Sequence, residues 1–236
     1  MAGLSHLAAS GSSIISLTGA ALVSAATFAA SGSADLQTAA LIGLPSIAGA
    51  RVGVLVARRL PPDVHALCFN GLSTLMLPAH LFIQRSRQQQ DGAATSGRTV
   101  PRALHAAFGC VSGFVSAIMG VGGGPLLMSY LTLATPLSHH LVQGTAACAV
   151  APGMVAAALS HLHAGTVPIG IASLVTAGAA LGAVGGTRVA LWLSEEQLRT
   201  IYMASLALLG GRAFIAAGGN LVSIARRWRA SRPKGA

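Results

Sequence analysis

Long apolar segments, separated by short polar or glycine-containing turns, run through nearly the whole chain. A helix rises about 1.5 Å per residue, so about 20 apolar residues cross a hydrocarbon core of about 30 Å. Segments of that length fall at 13–31, 37–57, 64–83, 103–119, 142–163, 167–191 and 196–217. The apolar segment 125–135 is too short to cross and predicts a re-entrant half-helix. The pattern therefore predicts about seven transmembrane helices and one half-helix.

The composition favours a membrane protein over a soluble helical one. Of the residues, 53% are hydrophobic and only 8% are charged, and the mean hydropathy is +0.68. So little polar surface cannot cover this many apolar helices in water, whereas helices are the structures that satisfy their own backbone hydrogen bonds in lipid. The fold class we predict is all-α and polytopic, and we expect the lipid bilayer to be its main partner. Nothing in the sequence indicates a cofactor.

The formal charge of +10 comes from basic residues that lie mostly between or after the apolar segments. They concentrate in the polar stretch 84–102 and in the C-terminal stretch 218–236. Because Lys and Arg accumulate in cytoplasmic loops, this placement predicts that both stretches are cytoplasmic, and it does not indicate nucleic-acid binding. Four crossings between the two stretches would satisfy this prediction, although Arg58 and Arg59 then fall on the other side.

The chain also matches itself without gaps when it is shifted by 133 residues. The aligned pairs include Ser5-His6 with Ser138-His139, Gly11 with Gly144, Gly32 with Gly165, Gly49 with Gly182, and Gly53 with Gly186. Aligned glycines in several segments indicate a duplication. We predict an incomplete first repeat of three spans at 1–83, a linker at 84–102, a second repeat at 103–217 and a tail at 218–236. Since the first repeat lacks a counterpart of 103–133, we expect a chain that is truncated at its N-terminus.

A glycine-rich break, Gly120-Val121-Gly122-Gly123-Gly124-Pro125, lies between the span 103–119 and the half-helix. Glycine costs about 1 kcal/mol and proline about 3 kcal/mol relative to alanine in a helix interior. An opened backbone at membrane depth is tolerated where protein buries it or where it lines a cavity. Successive N–H groups at the start of a half-helix favour an anion. The break therefore predicts an anion site, with close packing of small residues as the alternative.

Other small or polar residues are candidates to complete this site. The full set of candidate substrate-binding residues is Ser10, Gly11, Ser12, Gly120, Gly122, Gly123, Gly124, Pro125, Ser129, Gln143, Gly144, Thr145 and Arg188. The first three match Gln143, Gly144 and Thr145 in the second repeat. Arg188 belongs to the set because an intramembrane charge is a functional hypothesis by default. It lies near a span end, however, where a long side chain can reach the interface.

The run from Gly113 to Leu127 resembles the signature of the TauE/SafE family, membrane permeases often called sulfite exporters. Gly144-Thr145, Gly165 and the pattern Gly182…Gly186-Thr187-Arg188 agree with this resemblance. It covers the second repeat and the last three spans of the first. It implies two four-span units with glycine loops near a central site, and transport of small sulfur-containing or organic anions. The missing glycine loop of the first unit departs from the family pattern.

The ionisable residues limit the other chemistry that this chain can perform. All five acidic residues fall in predicted turns or loops, so an ion-coupled transporter would depend on histidine or backbone carbonyls. His80 and His105 are the most deeply placed and can titrate near neutrality. His139-His140 and His161-Leu162-His163 do not share a helical face, and no Asp, Glu or Cys completes a set, so we predict no metal site.

An enzymatic interpretation is weaker than a transport one. The run Ala8-Ala9-Ser10-Gly11 loosely resembles the Gly-x-Ser-Gly of rhomboid proteases, with His80 as a candidate base. The first glycine is missing, and the matching position in the second repeat holds no serine. We therefore predict no enzyme.

We predict a multi-pass transporter of small anions, with the plasma membrane as the default location and substrate bound at the glycine break. The alternative is a membrane protein that does not transport, or a half-transporter that needs a partner to complete its site. That alternative favours a homodimer, with the small-residue face of Gly49 and Gly53 as the candidate contact.

Overall fold

The computed structural model of the chain describes residues 6–90, 100–120, 122–165, 167 and 169–230. Within these ranges every regular element is a helix, which confirms the predicted all-α class. The helices in chain order are α1 (His6–Ala30), α2 (Leu36–Ala57), α3 (Pro62–Gln90), α4 (Arg102–Met119), α5 (Gly124–Ala134), α6 (His139–His163), α7 (Ile169–Trp192) and α8 (Glu195–Ala230).

Six helices in the described part of the chain are long and apolar enough to cross a membrane: α1, α2, α4, α6, α7 and α8. The shorter α5 has 11 residues and corresponds to the predicted half-helix. The predicted span 64–83 lies inside α3, which has 29 residues but is not among the six.

The helix boundaries agree with the 133-residue shift. Each helix of α1–α3 begins 133 residues before its counterpart: His6 and His139, Leu36 and Ile169, Pro62 and Glu195. Gly32 and Gly165, which the shift also aligns, both have positive φ, at 68° and 62°. They follow the matching helices α1 and α6, and a left-handed residue commonly ends a helix. The turn chemistry of the two repeats is therefore alike.

Matching helices α1 and α6 run in opposite directions. Near the start of α1, a Cβ placed on Gly11 would lie 3.1 Å from the ring of His161, near the end of α6. Further along α1, the Thr18 hydroxyl donates to the Met154 carbonyl oxygen at 3.2 Å. As residue numbers rise in α1, those of its contacts in α6 therefore fall. An antiparallel arrangement of matching helices is typical of inverted repeats.

The pair α3 and α8 is antiparallel as well. His80 and Tyr202 have ring centroids 4.9 Å apart, whereas Leu72, earlier in α3, lines a cavity together with Leu209, later in α8. The C-terminal ends of α3 and α8 therefore lie at opposite ends of the bundle. The linker follows α3, and α8 leads into the tail, so the helix ends that adjoin the two basic stretches lie at opposite ends of the bundle. The side of the membrane on which each stretch lies stays a prediction.

The return of the chain through α5 accounts for this arrangement of the helix ends. Gly122, just before α5, lies against Met154 in the second half of α6. Ser129, further along α5, bonds to His80, whose neighbour Tyr202 also contacts His139 at the start of α6. Thus α5 runs back towards the end of the bundle where α4 began. Three net passages, not four, then separate the linker from the tail.

The helices α2 and α4 pack through glycines that are four residues apart on each helix. A Cβ on Gly49 would overlap the Cys110 carbonyl, and a Cβ on Gly113 would overlap the Ser46 carbonyl. Small residues at this spacing let membrane helices approach closely. Gly49 and Gly53, expected as a dimer contact, are both buried in this interface. That face is therefore not free to contact a second copy.

Candidate functional site

The break between α4 and α5 is a run of left-handed glycines. Gly120, Gly122 and Gly123 have φ values of 73°, 85° and 69°. An L-residue pays about 1–2 kcal/mol for this conformation, which explains why glycine occupies all three positions. Val121 lies outside the described residues. The break lies beside Met154, Gly153 and Ser46, near the middle of α6 and α2.

The helix α5 begins at this break with its N-terminus uncapped by any side chain. Gly123 is its N-cap residue and makes no side-chain capping hydrogen bond, and Pro125 occupies the first turn. The first N–H groups of a helix have no partner within it, and the helix dipole places about half a positive charge there. This end of α5 can therefore accept an anion or another hydrogen-bond acceptor.

Two cavities meet at the break. The first has a volume of about 50 Å³ and an almost wholly apolar lining from α3, α4, α5 and α8. The second, of about 10 Å³, is lined by three serines together with glycines and apolar residues of α2, α4, α5 and α6. Ser116 and Gly123 line both cavities. A volume of about 10 Å³ holds roughly one water molecule, so the polar cavity as packed is too small for an oxyanion.

Two serines of α1 reach the break from the first repeat. The Ser13 hydroxyl donates to the Gly120 carbonyl oxygen at 2.9 Å. The Ser10 hydroxyl is buried and has no hydrogen-bond partner within the described part of the chain. It lies against Gly120, since a Cβ placed there would be 2.8 Å from Ser10 Oγ. Ser10 is thus an unused polar group at the break.

Three serines in the polar cavity were not among the sequence candidates: Ser46, Ser112 and Ser116. Ser46 donates to the Gly43 carbonyl oxygen at 2.7 Å, and Ser112 donates to that of Gly109 at 3.0 Å. Their hydroxyl protons are therefore already used within α2 and α4. A signal for two of them was present, because Ser112 and Ser116 are four residues apart on the helix that leads into the break.

The structure places four candidates of the second repeat away from the break. Ser129 bonds to His80, and Gly144 packs against the Ser33 carbonyl. Thr145 accepts a hydrogen bond from the Asp35 N–H at 2.9 Å. It precedes Met154 by nine residues, or about 13 Å of helix. The fourth candidate, Gln143, has a buried Oε1 without a partner among the described residues. These residues mainly join helices to one another.

The remaining candidates also lie outside the two cavities. Gly11 faces His161 and Val167, where it allows α1 to approach α6. Ser12 accepts a hydrogen bond from Ser16 through its carbonyl oxygen. Arg188 is exposed on α7. The structure therefore brings together Ser10, the break glycines and Pro125, and leaves the other candidates elsewhere in the bundle.

Comparison with known proteins gives one result. A family model described as "Sulfite exporter TauE/SafE" matches residues 1–213, nearly the whole chain. No curated protein and no solved structure matches the chain. The family match extends over all the helices that surround the break.

Proposed function

The chain belongs to the sulfite exporter TauE/SafE family, a family of membrane transporters, and from this premise we propose that it carries a small oxyanion such as sulfite through the glycine break. The observation that carries this proposal is the uncapped N-terminus of α5 at mid-bundle, with the unpartnered Ser10 hydroxyl beside it. Both features offer hydrogen-bond donors to a ligand. A membrane interior leaves such groups unsatisfied only at a cost.

The surroundings of the break favour an anion over a cation. Among the described residues, no charged side chain lines either cavity, so no described carboxylate there repels an oxyanion. The positive end of the α5 dipole and the N–H groups of the first turn attract negative charge. Ser10 can donate its hydroxyl proton, since it makes no other hydrogen bond among the described residues. A sulfite oxygen is a suitable acceptor for all of these groups.

Access to the site requires a movement of the helices. The polar cavity, at about 10 Å³, is smaller than an oxyanion. The antiparallel pairs α1–α6 and α3–α8 match the inverted repeats in which one half rocks against the other. The break lies where α1, from the first repeat, meets α4 and α5 of the second. Rocking at this boundary would open the site first to one side and then to the other.

The test is sulfite flux into liposomes that contain the purified protein, with a matched pair of glycine variants. The backbone at Gly123 has a positive φ, and a side chain added there would be directed at Ser116. Gly123→Leu should therefore abolish flux. A Cβ placed on the exposed Gly182 would meet nothing within 4 Å, so Gly182→Leu should retain flux. Both variants must reach the membrane and elute as folded protein. Unchanged flux in Gly123→Leu would refute the site, and no flux in the wild type would refute the function.

A further inference from the structure

A second buried polar cluster joins α3, α5 and α8 outside the two cavities. Its centre is His80, whose side chain is 0% exposed and whose Nδ1 lies 2.9 Å from Ser129 Oγ. The ring of Tyr202 meets that of His80 at an interplanar angle of 71°. Tyr202 also has a ring contact with His139 at 6.2 Å. The proposed transport function has so far used none of these side chains.

Two polar atoms of this cluster are buried without a hydrogen-bond partner in the described part of the chain: His80 Nε2 and the Tyr202 hydroxyl. A buried polar atom left unsatisfied costs about 1–3 kcal/mol. Native proteins contain few such groups, and a group of this kind calls for a functional explanation. Here the open atom belongs to an imidazole, a ring that can bind a second proton and then has two donor nitrogens.

No carboxylate is among the described groups that face His80. The described acidic residues Asp35, Glu195 and Glu196 lie at helix N-termini, away from the helix interiors. The titratable groups that face His80 are Tyr202 on α8 and His139 on α6. α5 contributes the Ser129 hydroxyl, and no charged side chain of α1 or α4 is in contact with it among the described residues.

We propose that His80 binds the proton that is coupled to anion movement, an inference that rests on the proposed transport function. A neutral imidazole has one donor and one acceptor nitrogen, whereas the protonated ring has two donors. When the neutral ring carries its hydrogen on Nε2, Nδ1 accepts the Ser129 hydroxyl proton, and proton uptake at Nδ1 forms an N–H bond that reverses this hydrogen bond. Because Ser129 belongs to α5, that change acts on the helix whose N-terminus forms the anion site. A proton bound there also offsets the charge of the anion.

The test is sulfite accumulation in liposomes that start with equal sulfite on both sides and carry an imposed pH gradient. The membrane potential is held at zero with potassium and valinomycin. His105→Gln is the matched control, because His105 is also buried and bonds through Nδ1 to the Tyr130 hydroxyl at 2.9 Å. Since sulfite speciation is the same for every variant, the difference between variants isolates the protein's contribution.

Wild type and His105→Gln should accumulate sulfite, whereas His80→Gln should lose accumulation to the level of empty liposomes and keep downhill flux. Ser129→Ala provides a second test in case His80→Gln does not fold, and it should lower the ratio of uphill to downhill flux severalfold. Accumulation by His80→Gln at the wild-type level would overturn the assignment. A wild-type rate of downhill flux that does not change with the pH gradient would also overturn the assignment. Absence of any wild-type flux would overturn the transport function itself.

Discussion

Alanine substitutions at two neighbouring glycines, Gly123 and Gly124, should have different effects. Gly123 has φ at +69°, and a Cβ there would lie 3.3 Å from Ser116 Cβ and 3.4 Å from the Ser112 carbonyl oxygen. Gly124 is the first helical residue of α5, and a Cβ there would meet nothing within 4 Å. The pair therefore separates the need for a left-handed backbone from the mere addition of a methyl group at the break.

The magnitude follows from the backbone. A left-handed conformation costs an L-residue about 1–2 kcal/mol. The two contacts at Gly123 are only slightly tight, and the substitution removes no hydrogen bond, so backbone strain dominates. Since 1.36 kcal/mol corresponds to a factor of ten, the site geometry should be populated about 5- to 30-fold less often. Gly124→Ala carries no such strain and gains up to about 1 kcal/mol of helix propensity.

The assay is the initial rate of sulfite flux at a fixed amount of reconstituted protein, together with the melting temperature in detergent. Gly123→Ala should lower the rate about 5- to 30-fold, and Gly124→Ala should stay within about twofold of the wild type with an equal or higher melting temperature. Equal losses in the two variants would show that added volume, not backbone conformation, is responsible. Wild-type flux in Gly123→Ala would show that the left-handed break is not needed.

Three further substitutions test the surroundings of the break and the packing of α2. Ser13→Ala should lower the free energy of unfolding by about 0.5–1.5 kcal/mol, measured by denaturation in detergent, because it removes the 2.9 Å bond to Gly120. Ser10→Ala should leave the melting temperature unchanged, since its hydroxyl has no partner among the described residues, but it should weaken sulfite binding measured by calorimetry. Gly49→Leu should abolish a monodisperse gel-filtration peak that Gly182→Leu retains, since only Gly49 touches a neighbouring helix.

The opposite results would contradict these arguments in different ways. A marked loss of stability in Ser10→Ala would mean that the hydroxyl is bonded within the fold. Unchanged stability in Ser13→Ala would mean that its hydrogen bond contributes nothing net. A folded Gly49→Leu protein would show that α2 and α4 can separate without unfolding.

Most of the helical architecture could be predicted from sequence because apolar length and glycine are local signals. The half-helix 125–135 corresponds to α5, and the predicted span 103–119 differs from α4 by one residue at its start. Both boundaries follow from the glycine-rich break, since glycine and proline end a helix wherever they cluster. The repeat alignment likewise placed Gly32 and Gly165 at equivalent turns.

The surroundings of the break could not be read from the sequence with the same accuracy. Gly144-Thr145 matches the family pattern, but Thr145 holds the start of α2 through Asp35. Ser46 reaches the polar cavity because α2 lies against both α4 and α6, and contacts between distant helices leave no local signature. The direction of α5 could not be predicted from the sequence either, because apolarity shows that a segment lies in the membrane but not which way it runs.

The structure makes the proposed site asymmetric between the two repeats. The second repeat contributes the left-handed backbone and the N-terminus of α5, with about half a positive charge from the helix dipole. The first repeat contributes hydroxyls, since Ser10 and Ser13 of α1 lie against Gly120. The shift of 133 residues pairs Ser10 with Gln143, whose amide lies on α6 outside the two cavities. Matching positions therefore lie in different surroundings, and in the proposed site the anion would be held by one helix dipole and by the Ser10 hydroxyl rather than by two equivalent breaks.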